Sequence, residues 1–194
     1  MKQVDIPGGS FFCREGEGLV DEHVLGEVLR GDYSHWLTLG RGFTVLDIGA
    51  NAGAFTVQAA LAGSRVYSCE PHPENAKVLR ENVKLNGLGG VVEVIEAAVV
   101  GDAYAGNEIP LSMRVSAFAS GNCTVLPVGD VLETLLVPTI KISQLLRISN
   151  PSQVKIDCEG GEYQIIESIC SWPRVKAIAM EVHLPAMGLG QEGD

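Results

Sequence analysis

Basic residues are scarce in this 194-residue chain: 14 lysines and arginines stand against 24 aspartates and glutamates, a formal charge of −10 at pH 7. A nucleic-acid-binding surface must neutralise phosphates, so this balance points away from RNA or DNA as a partner. Long apolar runs are missing as well. No stretch approaches the roughly 18 residues needed to cross a bilayer, and Met1-Lys2-Gln3-Val4-Asp5 does not lead into the apolar core of a secretion signal. The expectation is a cytoplasmic protein with no membrane partner. The five cysteines, at 13, 69, 123, 158 and 170, form no Cys-x-x-Cys pair, so neither a zinc-ligand spacing nor a disulfide framework is suggested. What the chain has in plenty is apolar content, 46% of residues, ample for the core of one domain.

The most informative stretch is Val45-Leu-Asp-Ile-Gly-Ala-Asn-Ala-Gly-Ala-Phe55. Phe43, Val45, Leu46 and Ile48 make an apolar strand, Gly49 and Gly53 permit a tight turn, and Val57 and Leu61 fall four apart on one face of a following helix. A second short strand, Arg65 to Cys69, ends in Glu70, where nucleotide-binding α/β folds place the carboxylate that holds a ribose diol. A nicotinamide or flavin site would want Gly-x-Gly-x-x-Gly, because a pyrophosphate lies against bare backbone at the helix N-terminus. This turn reads Asp47-x-Gly49-x-Asn51-x-Gly53. An acid at the strand end with only two glycines suits a ligand carrying an ammonium group, as S-adenosylmethionine does.

The strand-turn-helix resembles motif I of the class I S-adenosylmethionine-dependent methyltransferases. Together with Glu70-Pro71-His72-Pro73, Asn82, Asn86-Gly87, Lys155-Ile-Asp-Cys-Glu-Gly-Gly-Glu-Tyr163 and Glu181-Val-His183, it is similar to the FkbM family of methyltransferases. The Asp157-x-Glu159-Gly160-x-Glu162 element carries most of that specificity. The resemblance implies a Rossmann-like α/β three-layer sandwich with a mostly parallel sheet, S-adenosylmethionine as cofactor, and O-methylation of a hydroxyl on a small-molecule or saccharide acceptor.

By position, Asp47, Gly49, Asn51, Gly53 and Phe55 are expected around the methionine part of that cofactor, with the Asp47 carboxylate reaching its ammonium. Glu70, followed by Pro71, is expected on the ribose hydroxyls, and Glu96 and Ala97 on the adenine edge. Asp157 ends a strand beside the transferred methyl group, and Glu159 follows in the loop. Glu181 and His183, two apart, share one face of the next strand. His183 is the best base by its ordinary pKa, with Asp157 and Glu159 as competitors; each also has a bland reading as a strand-end or helix-start acid. No metal is assigned, although such an oxygen-rich cluster leaves a divalent cation as the lesser alternative.

Residues 1–40 read as an N-terminal arm and a capping helix, in which Val20, Val24, Leu25, Val28 and Leu29 recur at helical spacing. Residues 41–194 read as the nucleotide-binding unit, with strands at 43–48, 65–69, 91–96, 154–158 and 175–182 and helices at about 53–62, 73–86, 142–148 and 162–170. Turn signals from Gly101-Asp102 to Gly129-Asp130 interrupt this alternation and predict an antiparallel insertion at about 101–140. The apolar run at 175–182 reads as a central buried strand. No strand signal follows it, so the C-terminal β-hairpin usual in this fold is expected to be missing. An open edge of that kind is a route to a homodimer, and it leaves a catalytically inactive cofactor-binding or partner-binding module as the alternative. Acceptor specificity is expected in residues 8–40 and 101–150, with Phe11, Phe12, Tyr33, His35, Trp36, Phe118 and Asn122.

Overall fold

A computed structural model of the chain describes residues 1–14, 18–114, 123–124 and 131–182. It opens on an antiparallel hairpin, β1 (Lys2–Ile6) with β2 (Gly9–Cys13), followed by α1 (Gly18–Arg30). The alternating half comes next: β3 (Thr44–Ile48), α2 (Ala54–Leu61), β4 (Arg65–Cys69), α3 (Pro73–Leu85) and β5 (Val92–Ile95). Then come β6 (Ala98–Val100), β7 (Glu108–Arg114), β8 (Cys123–Thr124) and β9 (Val131–Lys141). The described chain closes with α4 (Ile142–Ser149), β10 (Gln153–Ile156), α5 (Glu162–Cys170) and β11 (Ala177–Met180).

The main sheet has five strands in the order β11-β10-β3-β4-β5, every pair parallel. Alternation along the strands sorts side chains to two faces. Val45 and Val66 pack with Phe11, Leu25, Val28, Val57, Leu79 and their neighbours from the hairpin, α1, α2 and α3. Leu46, Ile48, Val154 and Ile156 pack on the other face with Leu145, Leu146, Ile165 and Ile169 of α4 and α5. This is a helix-sheet-helix sandwich.

Local sequence explains the helix ends. Pro73 occupies the first turn of α3, where its missing N–H costs nothing, and Asn150 in the left-handed region (φ 43°) stops α4. The N-terminal hairpin is bonded to α3: Asn82 accepts from the Phe12 N–H at 2.6 Å, and Asn86 accepts from the Ser10 N–H at 2.9 Å. Asn82 also donates to the Ala52 carbonyl at 2.9 Å, so hairpin, helix and glycine turn are tied through one amide.

Two expectations are corrected. The run at 175–182 is not a central strand: β11 lies at the edge of the sheet, half-buried at Ala177 and Ile178 and exposed at Met180, because among the described residues no strand pairs with its outer side. The second concerns the expectation of an antiparallel insertion at about 101–140, whose last strand also has a parallel neighbour. β6, absent from the sequence reading, pairs in parallel with β9, while β7 pairs antiparallel with both β9 and β8. Within the expected insertion, residues 115–122 and 125–130, with Phe118 and Asn122, lie outside the described residues.

Candidate functional site

The chain leaves β3 for β4 on one side and returns through β10 on the other, so the order reverses between β3 and β10. Ligands of open parallel sheets bind at such a reversal, beyond the carboxyl ends of the strands. A cavity of about 240 Å³ lies there, walled by the turn Gly49–Asn51, by Glu70 and Pro71 after β4, and by Asp157 to Glu159 after β10.

Gly49 is dictated by this closeness: its φ is 79°, and a Cβ on it would overlap the Asp157 carbonyl. The turn's backbone donors are used by the protein itself. The N–H groups of Gly49 and Ala50 both donate to the Cys69 carbonyl at 3.0 Å, that of Asn51 to Glu70 Oε2 at 2.8 Å, and that of Gly53 to the Ala50 carbonyl at 2.9 Å. A pyrophosphate would need those donors.

Glu70 is buried, and its Oε1 accepts from the His72 N–H (2.9 Å) and from Asn75 Nδ2 (3.2 Å). Burial holds its pKa above the ordinary value of 4.5, against these hydrogen bonds and Lys155, which pull it down. With about four acceptor positions on a carboxylate, Oε2 retains room for one more donor.

Asp47 is displaced from its expected role. Its side chain shares the face of Val45, beneath α2, and is wholly buried. Thr56 Oγ1 donates to its Oδ2 at 2.6 Å and meets Ser68 Oγ at 2.7 Å. The strand register sets Lys155 opposite Asp47 and Asp47 opposite Ser68, and Lys155 Nζ lies 3.4 Å from Asp47 Oδ1. A lysine of the chain thus occupies the place assigned to a ligand's ammonium, and Asp47 does not line the cavity. Burial works to lower the Lys155 pKa, but Asp47 and Asp157 outweigh it and hold it raised.

Glu96 is likewise corrected: it is turned outward to Arg80 of α3, at 2.6 Å, while Ala97 lines the cavity. Gly53 supports α2 from outside the cavity wall, where a Cβ would strike Leu79, whereas Asn51 and Phe55 line it.

Asp157, Glu159 and Glu181 all face the cavity. Asp157 Oδ2 accepts from the Tyr33 hydroxyl at 3.0 Å and lies 3.5 Å from Lys155 Nζ. The Tyr33 ring sits 5.1 Å from the same ammonium and edge-on to Phe55 at 5.7 Å. Glu162 caps its own loop instead, accepting from the Cys158 and Gly160 N–H groups at 3.3 and 3.0 Å. Burial pushes the Cys158 and Cys69 thiols well above their usual range, which disfavours the reactive thiolate. His183 lies outside the described residues. Sequence reasoning missed Lys155 and the central place of Tyr33. The first sits inside the Lys155 to Tyr163 element but was read for its acids; the second carried only the weak signal of an aromatic after a helix.

Over residues 47–192 the sequence matches the family described as the methyltransferase FkbM domain. The protein-L-isoaspartate O-methyltransferase of Aeropyrum pernix is 44% identical over 68 residues, 34% of this chain and 25% of that protein, so the match spans a quarter of that relative's length. The 31-O-demethyl-FK506 methyltransferase FkbM of Streptomyces tacrolimicus is 26% identical over 81% of this chain and 72% of its own. The crystal structure of the SAM-dependent methyltransferase from Agrobacterium tumefaciens resembles 94% of this chain with 53% of its own, at 14% identity and a TM-score of 0.50, a likeness of fold.

Proposed function

The chain belongs to the FkbM methyltransferase family, and from that premise we propose that it transfers a methyl group from S-adenosylmethionine to a hydroxyl of a small-molecule or saccharide acceptor. The observation that carries the cofactor reading is the bonding of the turn: its N–H groups at 49, 50, 51 and 53 are taken by the protein's own oxygens, while Glu70 keeps one acceptor position in the cavity wall. That pattern fits a ribose and disfavours a pyrophosphate. Among the described residues the wall also carries the carboxylates of Glu27, Glu70, Asp157, Glu159 and Glu181 against the single ammonium of Lys155, a balance suited to a cationic ligand.

The bound cofactor supplies a methyl group already activated on a sulfonium. The protein's tasks are then to align the acceptor and to take up its proton. Asp157, held by Tyr33 and facing Lys155, is fixed in place and serves to orient the acceptor hydroxyl by accepting its hydrogen bond. Glu159 stands in the same wall as a second acceptor. Proton uptake is assigned to His183 on its position in the sequence, two residues beyond Glu181. The relative whose name places a methyl group on an oxygen, and which this chain matches over most of both lengths, supports a hydroxyl acceptor; the charge of −10 supports a small acceptor over a nucleic acid.

Calorimetry with S-adenosylmethionine, S-adenosylhomocysteine and NAD tests the reading. Micromolar binding of the first two, lost in Glu70→Ala, is the expected outcome. Preferential binding of NAD, or no binding by folded protein, would sink it.

A further inference from the structure

Tyr33 reaches the cavity from outside the segment that matches the family, which begins at residue 47. Its place follows from how α1 ends. The Gly31 N–H donates to the Val28 carbonyl at 3.0 Å and the Asp32 N–H to the Glu27 carbonyl at 3.3 Å, with Gly31 at φ 98°, the paired bonds of a Schellman motif. The Trp36 N–H then closes on the Tyr33 carbonyl at 3.0 Å. The turn is thus bonded on both sides of Tyr33, whose ring packs edge-on to Phe55 and whose hydroxyl meets Asp157.

That hydroxyl has one proton and two carboxylates in reach, Asp157 Oδ2 at 3.0 Å and Glu181 Oε2 at 3.5 Å. The nearer one takes it. Burial first, and Asp157 after it, hold the Tyr33 pKa well above its ordinary value, so the group stays a donor. Lys155 Nζ approaches the same oxygen, Oδ2, at 3.5 Å. Two donors on one oxygen fix the rotation of the carboxylate, and its second oxygen, Oδ1, accepts from no described residue.

The charge of Asp157 is only partly offset. Lys155 is shared between Asp47 at 3.4 Å and Asp157 at 3.5 Å, so these three groups carry one net negative charge. Asp47 is wholly buried, whereas the Asp157 side chain is 27% exposed and lines the cavity. The surplus therefore lies on the cavity side. The glycine turn runs from Gly49, which abuts Asp157, to Asn51, which is bonded to Glu70. A ribose on Glu70 and a cation on Asp157 are the two ends of that span, and in S-adenosylmethionine a single carbon joins the sulfonium to the ribose.

We propose that Tyr33, acting through Asp157, sets a preference for the cationic methyl donor over the neutral product: by pinning Oδ2 it keeps Oδ1 toward the sulfonium. Tyr33 is then a specificity-determining residue that works by positioning another. The proposal rests on the methyltransferase reading and adds to it a means of telling S-adenosylmethionine from S-adenosylhomocysteine.

Calorimetry of the full chain with these two ligands and with sinefungin, in which an ammonium-bearing carbon replaces the methylsulfonium, provides the test. The parent should bind both cations at least about fivefold more tightly than S-adenosylhomocysteine. Tyr33→Phe keeps the ring and removes only the hydroxyl. In it the two cations should weaken about fivefold while S-adenosylhomocysteine stays within about twofold. In Asp157→Asn the preference should vanish, and adding Tyr33→Phe should change it no further, because the two residues act as one unit. Absence of a preference in the parent, an unchanged preference in Tyr33→Phe, an equal loss for all three ligands, or additive effects in the double variant overturns the proposal. Melts show whether each variant is folded, and Tyr33→Phe decides alone if Asp157→Asn is not. If S-adenosylhomocysteine binds and the cations gain nothing over it, the role of Tyr33 fails alone; if none of the three binds folded parent, the methyltransferase reading fails and the proposal falls with it.

Discussion

Lys155 Nζ lies 3.4 Å from Asp47 Oδ1 in the interior, the two residues directly opposite on β10 and β3. Lys155 also donates to the Gly49 carbonyl at 2.7 Å, so one buried ammonium ties the strand to the cavity turn. Breaking a buried ion pair from one side leaves an uncompensated charge and costs about 3–5 kcal/mol. Lys155→Met, which strands the buried Asp47 carboxylate, should lower stability by that order in urea unfolding, and Asp47→Asn should cost less, because Lys155 keeps Asp157 at 3.5 Å. The double variant should recover part of the loss, because no lone charge remains buried. Since Asp47 does not line the cavity, folded Asp47→Asn should bind S-adenosylhomocysteine within about threefold of the parent. A loss of affinity with stability intact would return Asp47 to the ligand.

Gly49 is a sharper case. A Cβ there overlaps backbone, the Asp157 carbonyl, and the residue holds φ 79°. Gly49→Ala should therefore cost more than about 3 kcal/mol, strain and overlap adding together. Gly89→Ala is the control, for a Cβ there meets nothing within 4 Å. Thermal melts of the two variants should separate widely, and a Gly49→Ala protein as stable as the control would contradict the close approach of the two loops.

These two residues show what was readable in the sequence. The strand-turn-helix and Glu70 were legible because period, glycine spacing and strand ends are local properties. The inward turn of Asp47 was not, since it depends on which strand lies beside β3 and in what register; only pairing with β10 brings Lys155 opposite. Glu96 failed for a similar reason: Arg80 draws it outward from one turn of α3. Tyr33 comes from a turn more than a hundred residues from Asp157, and no local pattern connects them. β11 looked central by composition, but an edge is defined by an absent neighbour, which composition does not record.

Glu70 gives the pH prediction. Burial raises its folded pKa above 4.5, with the hydrogen bonds from His72, Asn51 and Asn75 acting against it. A carboxyl raised on folding contributes stability that is fully present below its unfolded value and lost as pH climbs through the folded one. Glu70→Gln lacks this dependence. The stability of the parent minus that of the variant, from urea midpoints, should therefore fall as pH rises from 4.5 toward neutrality. A difference that grows over that range would mean that the hydrogen bonds dominate and the folded value is lowered.

The last prediction concerns how that carboxylate is held. Arg14, at the end of β2, grips Asp21 with Nε and Nη2 at 2.9 and 2.6 Å and donates from Nη1 to Asn75 Oδ1 at 2.6 Å. An amide whose oxygen is so fixed must present its nitrogen to Glu70 Oε1, 3.2 Å away. The N-terminal hairpin thus orients a cavity residue that it does not touch. Lysine cannot reproduce the planar fork, so Arg14→Lys should free the Asn75 amide. Asn75→Ala removes the amide without disturbing the Arg14–Asp21 pair. Both should weaken S-adenosylhomocysteine by about tenfold in calorimetry, a loss of one charge-assisted hydrogen bond. Combining them should add little, because they act on one path. If Asn75→Ala binds as the parent does while Arg14→Lys does not, the arginine acts by another route, through stability or through its Nη2 contact with Asn51 Oδ1 at 3.4 Å, and the relay is wrong.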